Sequence, residues 1–389
     1  MTINTITPEI YRSLEKIRQK PIKQLIEPLL LIDTQDPITK IINNLLESNT
    51  YDVFGLLKNK IFSISILDIL SIRDIDNAKL ASNLKYIPSV SSDQNLGYVA
   101  QAMSKYRLRS IPIMEDGDVI GQISSKSICN VIDNSKTLNI SSSDIMSSNL
   151  LSAKPDEKIS FVRTLMQKNR IDHVPIIDNS LKGMVTSFHL LTSLGHSERI
   201  GRESYRVEKI NRLDQQVIGI ADHDVIISNV DENVNSIIKL MRNTNSSYSL
   251  ISDKQNGVMG IITYSDILGL LGERISDDSP IYIMGLPDDP HEAQLVKSKF
   301  IKLVQFLKKM RPDIQESRCK IKIKDIKGKK MRYELSVNIL TTKENYAFSI
   351  NGWELPIIFD NIKNSLQKRL TSDLNRKQKR QRESERYRQ

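Results

Sequence analysis

Four short stretches of the chain carry an apolar run into a hydroxyl residue: FSISILD at 62–68, GQISSKS at 121–127, GMVTSFH at 183–189 and GIITYSD at 260–266. The hydroxyls are Ser65, Ser124, Thr186 and Thr263, and three positions later stand Asp68, Ser127, His189 and Asp266. Two chemistries fit a hydroxyl followed by a carboxylate at this spacing. One is a helix N-cap, where the hydroxyl accepts a backbone N–H and the acid sits against the positive helix end. The other is a nucleotide site, where hydroxyl and N–H groups meet phosphate and the carboxylate accepts from the vicinal ribose hydroxyls. The middle copies depart from the pattern, because Ser127 has no carboxylate and His189 offers one acceptor nitrogen. At most two complete sites are therefore expected, centred on Asp68 and Asp266, and His189 reads as a packing or surface histidine.

The elements that must hold these residues recur with them. The hydroxyls are separated by 59, 62 and 77 residues, a period of one supersecondary unit. The second copy, NLGYVAQAMSKYRLRSIPIMEDGDVIGQISSKSICNVI, reads as helix, strand, turn at Asp116-Gly117, strand and helix. The third repeats this with HVPII answering SIPIM, the fourth follows, and the first, from PITKIINNLL onward, keeps the least of it. The longer third gap comes from a charged insert, GHSERIGRESYRVEKINRLDQQ at 195–216, which reads as a solvated linker or a partner-contacting arm.

On SIPI, HVPI, the Asp-Gly turn and the four heptads, the chain over about 21–271 resembles the CBS domain, whose tandem copies pair into modules binding adenosine compounds between repeats. The resemblance implies four repeats in two paired modules: 21–134 for the first two, 135–194 for the third and 219–272 for the fourth. A helical lead-in at 1–20 precedes them, and the linker spans 195–218. It also implies that Ser65 with Asp68, and Thr263 with Asp266, contact phosphate and ribose. Ile32 and Ile227, each with its neighbour, would wall the adenine. AMP, ADP or ATP would then be a regulatory ligand, and a homodimer through the CBS modules is admitted.

Beyond residue 280 the texture changes. Asp289, Pro290 and Glu292 announce a helix whose apolar face is Val296, Phe300, Leu303, Val304, Leu307 and Met310. In CKIKIKDI, Ile321 and Ile323 alternate with Lys320, Lys322 and Lys324, so a strand there has an oily face and a lysine face. Two further strands and a long helix complete β-α-β-β-β-α, with both helices expected on one face of the sheet. On VKSKFIKLVQFL, KIKIK and FDNIKNSLQKRLT, residues 280–373 resemble the ribosome hibernation factor domain, with a basic tail at 374–389. This resemblance implies a small-subunit rRNA partner, or both subunits, and non-catalytic translational silencing. It assigns RNA contact to Lys299, Lys302, Lys368, Arg369 and Arg376, with Lys320, Lys322 and Lys324 as weaker candidates. The tail adds Lys377, Lys379, Arg380 and Arg382.

Charge is distributed accordingly. Residues 281–389 hold 25 Lys and Arg against 13 Asp and Glu, while the other 280 residues hold 31 against 33. A near-neutral body thus carries a basic C-terminal part, suited to a polyanion. No apolar run reaches the roughly 20 residues of a spanning helix, the opening MTINTITPEI does not read as a signal peptide, and a cytoplasmic protein is expected. No Walker loop, nucleophile elbow or metal-ligand spacing points to an enzyme. The other classes left open are a CBS regulatory subunit of a protein enzyme or transporter, and a nucleotide-responsive regulator of other RNA or DNA.

Overall fold

A computed structural model describes residues 8–72, 84–134, 140–195, 213–255, 257–276, 281–327, 330–341 and 345–369. These fall into two compact units, the first holding the repeats up to Leu271 and the second beginning at Gly272, with Ser104–Arg107 grouped with the second. Most of the charged insert and all of the basic tail, including Arg376, Lys377, Lys379, Arg380 and Arg382, lie outside the described residues.

After helix α1 (Pro8–Arg18), the first repeat runs β1 (Leu31–Ile32), α2 (Ile38–Ser48), β2 (Asp52–Leu57), β3 (Lys60–Ser65) and α3 (Ile66–Leu70). The second comprises β4 (Lys85–Tyr86), β5 (Val90–Ser91), α4 (Leu96–Tyr106), β6 (Ser110–Glu115), β7 (Asp118–Ser124) and α5 (Ser125–Asp133). The third has α6 (Ser142–Ile145), α7 (Ile159–Asn169), β8 (His173–Asp178), β9 (Ser180–Thr186) and α8 (Ser187–Gly195). The fourth has β10 (Ile227–Asn229), α9 (Val234–Asn243), β11 (Tyr248–Ser252), β12 (Val258–Thr263) and α10 (Tyr264–Leu268). Local sequence explains these elements. Helix α2 buries Ile38, Ile41, Ile42 and Leu45 at 3–4 spacing and stops at Asn49, whose left-handed conformation turns its N–H back to the Leu45 carbonyl. The β6–β7 turn is Asp116-Gly117, both at positive φ, as a tight hairpin requires.

The repeats do not close on themselves. The segment leading into each one lies against the last strand of its neighbour. Lys85 of β4 pairs with Ser63 of β3, and Glu27 bridges Gln122 of β7. In the second half Asp222 bridges Met184 of β9, and Ser147 bridges Ile261 of β12. The first repeat is thereby interlocked with the second and the third with the fourth, the pairing expected from the sequence.

These contacts explain the glycine that opens three heptads. A Cβ on Gly121, Gly183 or Gly260 would lie 2.5, 2.8 or 2.8 Å from the carbonyl oxygen of Glu27, Asp222 or Ser147. The first repeat has Phe62 instead, and its ring lies over Gly55, where a Cβ would come within 2.2 Å of it. The two pairs also share a core, since a single buried cluster combines Ile41, Leu45, Phe62 and Ile66 with Val162, Met166, Val174 and Leu191.

In the second unit, β13 (Glu273–Ser276), β14 (Ile281–Met284), β15 (Ile314–Lys327), β16 (Lys330–Thr341) and β17 (Asn345–Gly352) form one sheet in chain order. β14 and β15 are parallel, joined across helix α11 (Pro290–Met310), and the other pairs are antiparallel. A last helix, α12, covers 355–369 within the described residues. From β14 onward the order is the expected β-α-β-β-β-α, and β13 adds an unforeseen edge strand. Val296, Phe300 and Leu303 of α11 and Ile358, Phe359 and Ile362 of α12 share a core with Cys319, Ile321 and Ile323, so both helices cover one face. Trp353 is 42% exposed, because it sits at the turn between β17 and α12 rather than over the sheet. Among the described residues no helix is long and apolar enough to cross a membrane.

Replacing Gly183 by Ala forces the 222 carbonyl away from β9 and should cost about 1–3 kcal/mol. Gly219→Ala, where an added Cβ meets nothing within 4 Å, is the control. Urea midpoints should fall for the first substitution and not the second; equal midpoints would show that the segment does not pack as described.

Candidate nucleotide site

All four hydroxyls end a strand and cap the helix that follows. Asp68 N–H donates to Ser65 Oγ at 3.2 Å, and the Asp68 Oδ2 accepts from Ser65 N–H at 3.1 Å and from Ser65 Oγ at 2.8 Å. Thr263 N–H and Oγ1 donate to Asp266 Oδ2 at 2.9 and 2.8 Å. The middle copies preserve the cap with other atoms. Ser127 N–H donates to Ser124 Oγ at 3.1 Å. His189 N–H donates to Thr186 Oγ1 at 3.4 Å, and Thr186 N–H donates back to His189 Nδ1 at 3.2 Å, so the ring nitrogen takes the carboxylate's place. The capping geometry is thus common to all four repeats, and any ligand chemistry must use what it leaves over.

At Asp68 that remainder is Oδ1. It accepts from Lys85, on the segment leading into the second repeat, and from Arg170 Nη1 at 2.8 Å, from the third. Arg170 is itself the left-handed residue that terminates α7. Burial would push the Asp68 carboxyl up, but the charges of Lys85 and Arg170 outweigh it and hold the group at about 2. Lys85 is itself held below its ordinary value by burial, to which Arg170 adds, against the pull of Asp68. Three repeats therefore converge on a hydroxyl, a carboxylate and two cations with a net charge of +1. At Asp266 the leading segment of the third repeat contributes Ser147, whose Oγ donates to Oδ1 at 3.0 Å.

The two apolar residues expected to wall the adenine lie on the first strands of their sheets. Ile32 is 4% exposed, packed in the core on β1, two strands from β3. Ile227 is 46% exposed on β10, likewise two strands from β12. The segments that actually reach the carboxylates are those around Lys85 and Ser147, a consequence of the exchange between repeats that linear spacing does not reveal.

A second polar cluster was not anticipated. The residues opening the first hairpin strand of each repeat meet one another. Arg109 donates to Asp172 Oδ2 at 2.7 Å, and its backbone N–H donates to Asp52 Oδ2 at 2.6 Å. Ser187 Oγ donates to Asp172 Oδ1 at 2.9 Å. Ser247 Oγ lies 2.7 Å from Tyr51 Oη and 2.8 Å from His173 Nε2. The signal for this cluster was the recurrence of polar residues immediately before four aligned strands: Tyr51-Asp52, Arg109-Ser110, Asp172-His173 and Ser247-Tyr248. Burial pushes the Asp52 carboxyl up to about 7 and the His173 imidazole down to about 4.

In the second unit the expected RNA contacts fall on opposite sides. Lys299 on α11 donates to Asp360 at 2.8 Å, Lys302 is exposed on the same helix, and Lys368 is exposed on α12. The Arg369 guanidinium lies 5.5 and 5.7 Å from the ring centroids of Tyr346 and Phe348. Lys320, Lys322 and Lys324 alternate with the buried Cys319, Ile321 and Ile323, and so occupy the sheet face away from the helices. Lys322 stands opposite Glu334 in the strand register.

Comparison with known proteins bears on the first unit. Residues 82–134, 143–196 and 217–273 match the CBS domain family model, so the chain contains multiple CBS repeats. Residues 31–70 show the same helix, hairpin and helix outside those segments. The crystal structure of protein MJ1225 from Methanocaldococcus jannaschii superposes with a TM-score of 0.58 at 16% identity, covering 64% of this chain and 99% of that one, a likeness of fold. Uncharacterized protein MJ1232 of the same organism is 23% identical over 206 residues, 52% of this chain and 64% of its own length. Its inosine-5'-monophosphate dehydrogenase is 27% identical over 106 residues, 26% of this chain and 21% of the enzyme. The chain thus spans less than two thirds of these curated relatives.

The buried Asp52 makes stability depend on pH. Its folded value lies above the ordinary value near 3.9, so its contribution is fully present below that and is lost as pH rises through about 7. Asp52→Asn, which still accepts from the Arg109 N–H, should match wild type at pH 4 and exceed it at pH 8 by roughly 1–3 kcal/mol. Urea titrations at pH 4, 6 and 8 that stayed parallel would contradict this.

Proposed function

We propose that the chain is a non-catalytic regulatory protein whose CBS body binds an adenine nucleotide (AMP, ADP or ATP). The observation that carries this reading is the convergence at Asp68. A nucleotide needs a carboxylate for its ribose hydroxyls and cations for its phosphate, and Asp68, Ser65, Lys85 and Arg170 supply both within one group. In the absence of ligand the cations neutralise the carboxylate, as a buried charge requires. A nucleotide would exchange partners, phosphate taking Lys85 and Arg170 while ribose takes Asp68. Thr263 and Asp266 form the second such position. Calorimetric titration should show AMP binding weakened at least tenfold, about 1.4 kcal/mol, by Asp68→Ala. Arg170→Ala should weaken AMP more than adenosine; equal affinities in all three proteins would remove the assignment.

The regulated partner on this reading is a protein enzyme or transporter, held by a complex that survives nuclease. A second reading is favoured by the second unit, whose sheet carries three lysines on the face away from its helices while further cations line the helices. On that reading the basic unit would bind small-subunit rRNA and silence translation, under control of the CBS body. The full chain should then co-sediment with small subunits at low salt and dissociate as salt rises. Paired Glu substitutions at Lys302 and Lys368, compared with Lys322 and Lys324, would show which face contacts RNA. Failure to co-migrate at any salt concentration eliminates the ribosomal reading.

A further inference from the structure

The four leading segments meet the four heptads in one register. Lys85, Glu27, Asp222 and Ser147 each pair with the residue two before the heptad hydroxyl: Ser63, Gln122, Met184 and Ile261. In three repeats the carbonyl of that same leading residue is the group the heptad glycine admits. Where the side chains are hydrogen-bonded, the leading residue reaches the heptad's seventh position: Lys85 to Asp68, and Ser147 to Asp266 at 3.0 Å. By equivalence Glu27 stands opposite Ser127 and Asp222 opposite His189. The charge of Asp222 does act on the His189 imidazole, raising its pKa against the stronger lowering by burial.

Read as pairs of seventh position and leading residue, the sites are Asp68 with Lys85, Ser127 with Glu27, His189 with Asp222, and Asp266 with Ser147. Each pair contains one carboxylate. It lies on the heptad in the outer repeats and on the leading segment in the middle ones. We propose that the second and third repeats are also binding sites for the cis-diol of a nucleoside, with Glu27 and Asp222 as the carboxylates that accept from it.

A carboxylate on either side of the same gap can accept from two vicinal hydroxyls. Glu27, one methylene longer than Asp, faces the short Ser127, whereas the shorter Asp222 faces the larger His189. Among the described residues neither Glu27 nor Asp222 has an ion-pair partner, so a sugar there displaces no cation, in contrast to Asp68. Asp222 Oδ1 accepts the Asp224 N–H at 2.9 Å, which leaves Oδ2 for the ligand.

This inference rests on the nucleotide reading above, and one set of titrations separates the two. AMP and adenosine are titrated calorimetrically into the full chain, into Asp68→Asn with Asp266→Asn, and into Glu27→Gln with Asp222→Asn. The last pair is isosteric, and an unchanged urea midpoint shows that the fold is kept. The expected result is loss of about half the bound equivalents in each double variant and of all of them when the four substitutions are combined. Binding abolished entirely by the Asp68/Asp266 pair, or unaltered by the Glu27/Asp222 pair, overturns this inference alone. Absence of binding to the wild type overturns the nucleotide reading and this one with it.

Discussion

The body of the protein depends on a backbone contact. The segment entering each repeat hydrogen-bonds to the final strand of its neighbour, filling an edge whose N–H and C=O groups would otherwise be unpaired. Because the contact is between main chains, it demands close approach more than any particular side chain. Three heptads meet that demand with glycine. The first meets it differently: Phe62 turns its ring over Gly55 while β4 still pairs alongside. The glycine has in effect moved one strand over, which is why the first copy looks so altered in sequence while its fold is intact.

The same exchange decides the electrostatics. The carboxylates of the outer heptads, Asp68 and Asp266, are each met by a side chain from another repeat, so their charge environment cannot be inferred from their own repeat. Asp68 is neutralised by Lys85 and Arg170, from two other repeats. In the cluster around Arg109 and Asp172 the two opposite charges pair, while Asp52, which accepts from a backbone N–H, is pushed toward its neutral form by burial. A ligand that competes for Asp68 must rearrange contacts among three repeats at once.

The second unit separates its roles by face. The alternation along β15 puts apolar residues beneath the helices and lysines on the opposite side, while the cations of α11 and α12 ride on the helix layer. Net positive charge favours a polyanion but does not select one face. A strand facing Glu334 across the register is already partly compensated, which makes the helix-layer cations Lys302 and Lys368 the less encumbered set.

Much of this was legible in the chain. Periodicity and spacing determined that there are four repeats, that hydroxyls cap their second helices, and that a β-α-β-β-β-α unit follows. These are local properties, set by side-chain alternation, cap chemistry and turn residues over a few positions. That the repeats pair in order is an implication of the family resemblance. The adenine wall at Ile32 and Ile227 is likewise an implication of that resemblance, not of periodicity. Tertiary structure decided which side chains meet the carboxylates, since exchange of the leading segments brings Lys85 and Ser147 to them from 17 and 119 residues away. It also decided that Tyr51, Arg109, Asp172 and Ser247 meet, and that Trp353 faces solvent. Contacts between segments far apart in the chain depend on how completed elements pack, and no periodicity within a single repeat encodes them.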